Sequence, residues 1–129
     1  LYIDAETMLR FVARREQVGE SSVVLIGNSL GAGFAAYLAA RHASEILLLV
    51  GGYENLPAVV RGHRWLWPLH PFFRWRVPAD GFVRQLAHTC VHAVHGALDD
   101  YIPPEQTERL ARQYRGSGSF ETVRVERAT

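Results

Sequence analysis

Val23, Val24, Leu25, Ile26, Gly27, Asn28, Ser29, Leu30, Gly31, followed by Ala32, Gly33, Phe34, Ala35 and Ala36, is the stretch that decides the fold. The apolar run Val23 to Ile26, without polar alternation, predicts a parallel strand buried on both faces. The alanines after it, with Phe34 and Leu38 four positions apart, predict a helix, and Arg41 and His42 place positive charge in its last turn, where it suits the helix dipole. Between the two, G-x-S-x-G leaves room only for a tight turn. A strand that reverses into a helix this sharply holds its central serine in a strained backbone conformation, with Oγ clear of the sheet edge. Side chains at Gly27 and Gly31 are expected to collide with the neighbouring strand or the helix backbone, which accounts for both glycines.

Composition narrows the class. A chain of 129 residues with 48% hydrophobic content is one globular domain, able to bury a core but small for an α/β enzyme. A formal net charge of +1 gives no reason to expect nucleic acid or an anionic membrane as partner. The single cysteine, Cys90, rules out an internal disulfide, fits a reducing compartment, and so points to the cytoplasm. No apolar run approaches the roughly 18 residues of a membrane span, and no signal peptide is visible. All 14 basic residues are arginine, the mark of a GC-rich and bacterial coding sequence. The first residue is Leu1, so the true N-terminus is expected elsewhere.

On either side of the turn the pattern continues as alternating helix and strand. Asp4 is placed as an N-cap, with Ile3 and Met8 in hydrophobic-staple spacing, and Ala5, Met8, Leu9, Val12 and Ala13 form the apolar stripe of a helix ending near Gly19. Ile46 to Val50 is a second continuous apolar run, which again predicts a buried strand, closed by Gly51 and Gly52. Helix, strand, helix, strand in this order implies right-handed crossovers on a parallel sheet. Residues 53 to 88 break the rhythm: Trp65, Trp67, Phe72, Phe73 and Trp75 crowd among Pro57, Pro68, Pro71 and Pro78. Such a composition fits a lid or pocket wall over a substrate, and equally a packed crossover whose aromatics are core. Gly81 to Ala87 predicts a short helix and Cys90 to His95 the next strand, opened by the small Cys90. Pro104 suits the first turn of a helix with Thr107, Leu110, Ala111 and Tyr114 on one face and Gly116 as its C-terminal glycine. Phe120 to Val125 begins a final strand.

His95, Gly96, Ala97, Leu98, Asp99, Asp100, Tyr101, Ile102, Pro103, Pro104 places a carboxylate on a loop at the carboxyl end of a parallel strand, where open α/β sheets carry functional groups. With the G-x-S-x-G turn 70 residues upstream, the chain resembles the α/β-hydrolase family of serine nucleophile type, within it the serine-aminopeptidase-like and Bem46-like branch of esterases and peptidases. The resemblance runs over nearly the whole chain, from Leu1, Tyr2, Ile3, Asp4 through Gly27 to Gly31 and the loop from His95 to Pro104. It implies a parallel-sheet, three-layer α/β/α sandwich, of which residues 1–129 form a partial domain, the middle and C-terminal part. It further implies that Ser29 is the nucleophile of a nucleophile elbow, that the Leu30 N–H is one oxyanion donor, and that Asp99 is the acid orienting a histidine. The substrate is then a small-molecule or short peptide acyl compound, with no metal and no organic cofactor.

The chain departs from that pattern in two places. No histidine follows Asp99 in the sequence; His42, His63, His70, His88, His92 and His95 all precede it. The catalytic histidine is therefore expected within about five residues beyond Thr129, and strands carrying a second oxyanion donor are expected upstream of Leu1. The 129 residues alone are expected to be inactive, because a serine hydroxyl needs an imidazole to accept its proton. A structural role in the turn is expected for His95. Two rival readings stand beside the hydrolase. A hydrolase-fold pseudoenzyme or binding module would keep the same residues without turnover, Asp99 being then a turn carboxylate, with Asp100 and Glu54 as alternative acids. Gly27, Gly31 and Gly33, with Glu54 after the next strand, also fit the dinucleotide loop of short-chain dehydrogenases, though that family's Tyr-x-x-x-Lys has no lysine here to complete it.

Overall fold

A computed structural model of the chain describes residues 1–62 and 77–128. In order they form α1 (Tyr2–Glu16), a 3-10 turn (Glu20–Ser22), β1 (Leu25–Asn28), α2 (Gly31–His42), β2 (Ile46–Val50), α3 (Leu56–Gly62), α4 (Ala79–Val83), β3 (Cys90–Gly96), α5 (Glu105–Gln113) and β4 (Phe120–Val125). The four strands lie side by side in sequence order, β1-β2-β3-β4, and every pair is parallel. All four carboxyl ends therefore share one edge of the sheet. Most of the aromatic segment, Trp65 to Trp75 with His63 and His70, lies outside the described residues, and with it both the lid and the packed-crossover reading. No described helix is long and apolar enough to cross a membrane.

The register puts Leu25, Leu47 and Val91 in one row and Leu49 with Ala93 in another on the same face, all buried. Helix α2 lies on that face through Ala32, Ala35, Ala36 and Ala39, whose short side chains let the helix axis come close to the strands. Leu9 of α1, Val83 of α4 and Leu110 of α5 join the same core. The other face is different: Ile26 is 66% exposed and Val123 55%, and Ile46 and Val50 are exposed as well. This corrects the expectation that β1 and β2 are buried on both faces, and β1 instead alternates buried and exposed. The physical reason is that the buried residues of the described helices gather on one side, so the sandwich shows its sheet and one helical layer among the described residues. A continuous apolar run signals burial potential; it does not say which layer is present to use it.

The start of α1 also departs from expectation. Asp4 lies inside the helix rather than at its N-cap, and Ile3 and Met8, the expected staple, are both solvent-exposed. What fastens α1 is a carboxylate the apolar stripe overlooked. Glu6 is 9% exposed, and its Oε1 accepts from Tyr37 Oη (3.0 Å) and pairs with Arg41 Nε (3.0 Å). Its Oε2 meets Arg10 Nη2 (3.1 Å) and His42 Nε2 (3.0 Å), while His42 Nδ1 reaches Glu20 (2.6 Å). Burial pushes the Glu6 pKa up, but the Tyr37 hydroxyl, His42 and Arg10 outweigh it and hold the carboxyl below its ordinary 4.5. Gly116 is not the C-terminal glycine of α5 either. That helix stops at Gln113 because Tyr114 turns extended, and Gly116 is required instead by packing, since a Cβ there would lie 2.6 Å from Leu86 O.

The two glycines of the turn separate cleanly. A Cβ on Gly27 would lie 2.6 Å from Ala32 Cα and 2.7 Å from Gly31 O, both backbone atoms that cannot move aside. On Gly31 it would meet nothing within 4 Å, so the expected collision at that position is absent. Gly27→Ala is therefore expected to lose about 1–3 kcal/mol of stability in urea unfolding, whereas Gly31→Ala leaves it unchanged or slightly raised, as alanine favours helix. The Glu6 cluster gives a pH dependence of definite sign. A carboxyl with a depressed folded pKa stabilises the fold above its unfolded value near 4.5, and that contribution is lost as pH falls through the folded pKa. The difference in melting temperature between wild type and Glu6→Gln should thus be largest near neutrality and shrink below about pH 4.5.

Candidate active site

Only Ser29 and Leu30 separate the last residue of β1 from the first of α2. Ser29 pays for that reversal with φ 49, a left-handed conformation that costs a side-chain-bearing residue about 1–3 kcal/mol. Two hydrogen bonds hold it there. The Ser29 N–H donates to Val50 O at the end of β2 (2.8 Å), and the Ala32 N–H donates to Ser29 O (2.9 Å). The serine side chain is exposed, and its hydroxyl makes no hydrogen bond among the described residues. Leu30 is the N-cap of α2, so its N–H sits at the positive end of the helix, and no acceptor takes it among the described residues.

A residue that sequence reasoning missed braces this turn from behind. Tyr53, three residues beyond β2 and fully buried, donates its hydroxyl hydrogen to Leu30 O (3.2 Å), and the Gly33 N–H points at the same phenol oxygen. The phenol thus caps the first turn of α2, which has no side-chain cap of its own. Burial pushes its pKa above the usual phenol range, with Tyr2 adding to the effect and the Gly33 N–H working against it. Gly33 is glycine because a Cβ would fall 2.6 Å from the Tyr53 hydroxyl and closer still to Val77. No sequence signal marks Tyr53, because a tyrosine after a strand is unremarkable until the fold brings it under the helix.

Asp99 follows β3, on the same carboxyl edge as Ser29 but with β2 between their strands rather than on the adjoining strand. Its Oδ1 accepts the backbone N–H groups of Tyr101 and Ile102, each at 2.9 Å. Its Oδ2 lies 3.4 Å from His95 Nε2 and leans toward Gly51, where a Cβ would lie 3.9 Å away. Gly51 has φ 59 and directly follows Val50, whose carbonyl holds Ser29. The end of β2 is thus touched from one side by the serine turn and from the other by the carboxylate.

The described histidines stand apart from Ser29. His42 is bound to Glu6 and Glu20, His88 to Ser117 and His92 to Glu121, while His95 is 3% exposed with both nitrogens engaged. Among the described residues no group of three His, Cys, Asp or Glu side chains is placed to hold a metal ion. Glu54, the acid of the dinucleotide reading, is placed after β2 with its N–H on Gln106. Topology opposes that reading: a dinucleotide fold places the fourth strand beside the first, whereas here β4 pairs with β3.

No protein-family model matches the chain. Among solved structures it is similar to an esterase domain from a Rhodothermus marinus protein, with 20% identity over 95% of this chain and 56% of that one at a TM-score of 0.69. It is similar to an acetyl xylan esterase from Paenibacillus sp. R4, with 19% identity, coverage of 97% and 45%, and a TM-score of 0.75. The acylaminoacyl peptidase of Pyrococcus horikoshii matches at 9% identity, coverage of 94% and 22%, and a TM-score of 0.69. The chain spans about half the length of the two esterases and less of the peptidase. Its parallel sheet, its strand-to-helix turn at Ser29 and these likenesses together give it an α/β-hydrolase fold, shared with these solved structures.

Proposed function

We propose that the protein to which these residues belong is a serine hydrolase that cleaves an ester, thioester or amide through an acyl-enzyme. The observation that carries this reading is Ser29 itself: a non-glycine residue at φ 49, exposed at the carboxyl edge, with the start of a helix beside it. The strain of the tight reversal falls on a solvent-facing serine, where it aims a hydroxyl. Ser29 Oγ attacks the carbonyl carbon of a small-molecule or short peptide acyl substrate and passes its proton to a histidine. The Leu30 N–H, at the positive end of α2, receives the oxyanion. The histidine then returns the proton to the leaving alcohol, thiol or amine, and water releases the acid by the same steps in reverse. Asp99 holds the histidine in the tautomer whose Nε2 is free to accept.

That histidine is proposed to follow Thr129, and the open apolar face of the sheet agrees with further chain covering it, since parallel sheets are buried on both faces. The rival reading, a hydrolase-fold module without turnover, draws on one observation: no described histidine faces Asp99 except the buried His95. Activity decides between them. In the whole protein, Ser29→Ala is expected to abolish hydrolysis of a short activated ester and labelling by a fluorophosphonate while leaving the melting temperature unchanged or raised. Undiminished labelling of the variant overturns the assignment. Asp99→Asn is expected to lower kcat by about 10⁴-fold through the wrong histidine tautomer, and the 129 residues alone should show no turnover above background.

A further inference from the structure

Beneath the acid loop lies a set of buried polar contacts that the proposed reaction does not use. At its centre His95, near the end of β3, sends Nε2 to Ile102 O (2.7 Å) and Nδ1 to Thr107 Oγ1 (2.6 Å). Thr107 is buried on α5 and also reaches Gly52 O, just past β2, at 2.9 Å. One imidazole therefore ties together the end of β3, the acid loop and α5. We propose that His95 is a positioning residue that sets the orientation of the Asp99 carboxylate; the inference rests on Asp99 being the acid of a Ser29 hydrolase.

The chain of contacts gives the direction of the effect. Both neighbours of Nε2, Ile102 O and Asp99 Oδ2, are acceptors, so Nε2 carries the proton and donates it to the nearer Ile102 O. Held by its carbonyl, Ile102 presents its N–H to Asp99 Oδ1, together with the N–H of Tyr101. Two amides on one oxygen stop the carboxylate rotating about Cβ–Cγ. Oδ2 is left as the oxygen a histidine can use, on the side of Gly51 and hence of the serine turn. At 3.4 Å the His95 N–H adds only a weak contact to Oδ2 and does not occupy it. The same geometry excludes His95 as the base, because its ring is buried and both nitrogens are spoken for.

Asparagine and glutamine divide the imidazole between them. Glutamine can place an amide N–H where Nε2 sits and keep the bond to Ile102 O; asparagine reaches only the Nδ1 position and keeps Thr107. In the whole protein, His95→Asn is expected to lower kcat for an activated ester by about a hundredfold, the scale of a misplaced catalytic group, with KM unchanged. His95→Gln is expected to recover most of that loss at a similar melting temperature. Equal activity in the two variants, whether both are impaired or both are normal, overturns the proposal. Nitrogen NMR of the wild-type imidazole tests it without any variant: a proton on Nε2 is required, and an unprotonated Nε2 overturns it even if His95→Asn fails to fold. Retained hydrolysis in Ser29→Ala would overturn the serine reading instead. Loss in Ser29→Ala and Asp99→Asn, with no difference between the two His95 variants, overturns this inference alone.

Discussion

The close approach of α2 to β1 is the constraint on which the rest of the structure depends. It exists because Gly27 has no side chain to keep Ala32 and Gly31 away, and because the buried face of α2 is largely alanine. A helix pressed this near the sheet leaves two residues for the reversal, and Ser29 is the one that absorbs it at φ 49. The strain persists because the surroundings over-determine it. Val50 O fixes the serine amide from the next strand, Tyr53 fixes Leu30 O from below, and Val77 closes the space beside Gly33. None of these partners is adjacent in sequence, so the geometry of the hydroxyl is a product of the core rather than of the five-residue turn.

That division explains what could be read from the chain and what could not. Local signals sufficed for the strand, turn and helix at residues 25–42, for β2 and β3, and for a helix opened by Pro104, because each rests on propensity or turn chemistry within a few residues. Burial was read less well. Ile26 and Val123 look like core residues by composition and are exposed, since exposure is decided by whether a second layer packs on their face. Asp4 has the identity of a cap and the wrong place for one, because the helix already includes it, while the carboxylate that matters to α1 is Glu6, two positions on. Sequence periodicity treats a buried glutamate as a break in the stripe. Only the arrival of Arg41 and His42 from α2 turns it into an anchor.

The acid loop shows the same separation between identity and placement. A carboxylate after a parallel strand is legible, and so is a structural role in the turn for the histidine four positions before it; which groups that histidine holds is not. Its two nitrogen partners are Ile102 O and Thr107 Oγ1, and Thr107 comes from a helix that sequence reasoning valued only for its apolar face. Buried polar networks of this kind fix a unique arrangement because each unmade bond inside them is costly. The serine turn is held by packing and by backbone hydrogen bonds, the Asp99 loop by side-chain hydrogen bonds.

Strand spacing then sets the requirement the two sides must meet. Adjacent strands lie about 4.8 Å apart, so the ends of β1 and β3, with β2 between them, are separated by roughly 10 Å. No direct hydrogen bond from Ser29 to Asp99 spans that gap. Two hydrogen bonds of about 2.8 Å each, with an imidazole between them, cover most of it. The lean of Asp99 Oδ2 over Gly51 toward the serine side supplies the remainder. Under the proposed mechanism the gap over the end of β2 takes one histidine ring, and the strained serine and the oriented carboxylate act only once that ring stands between them.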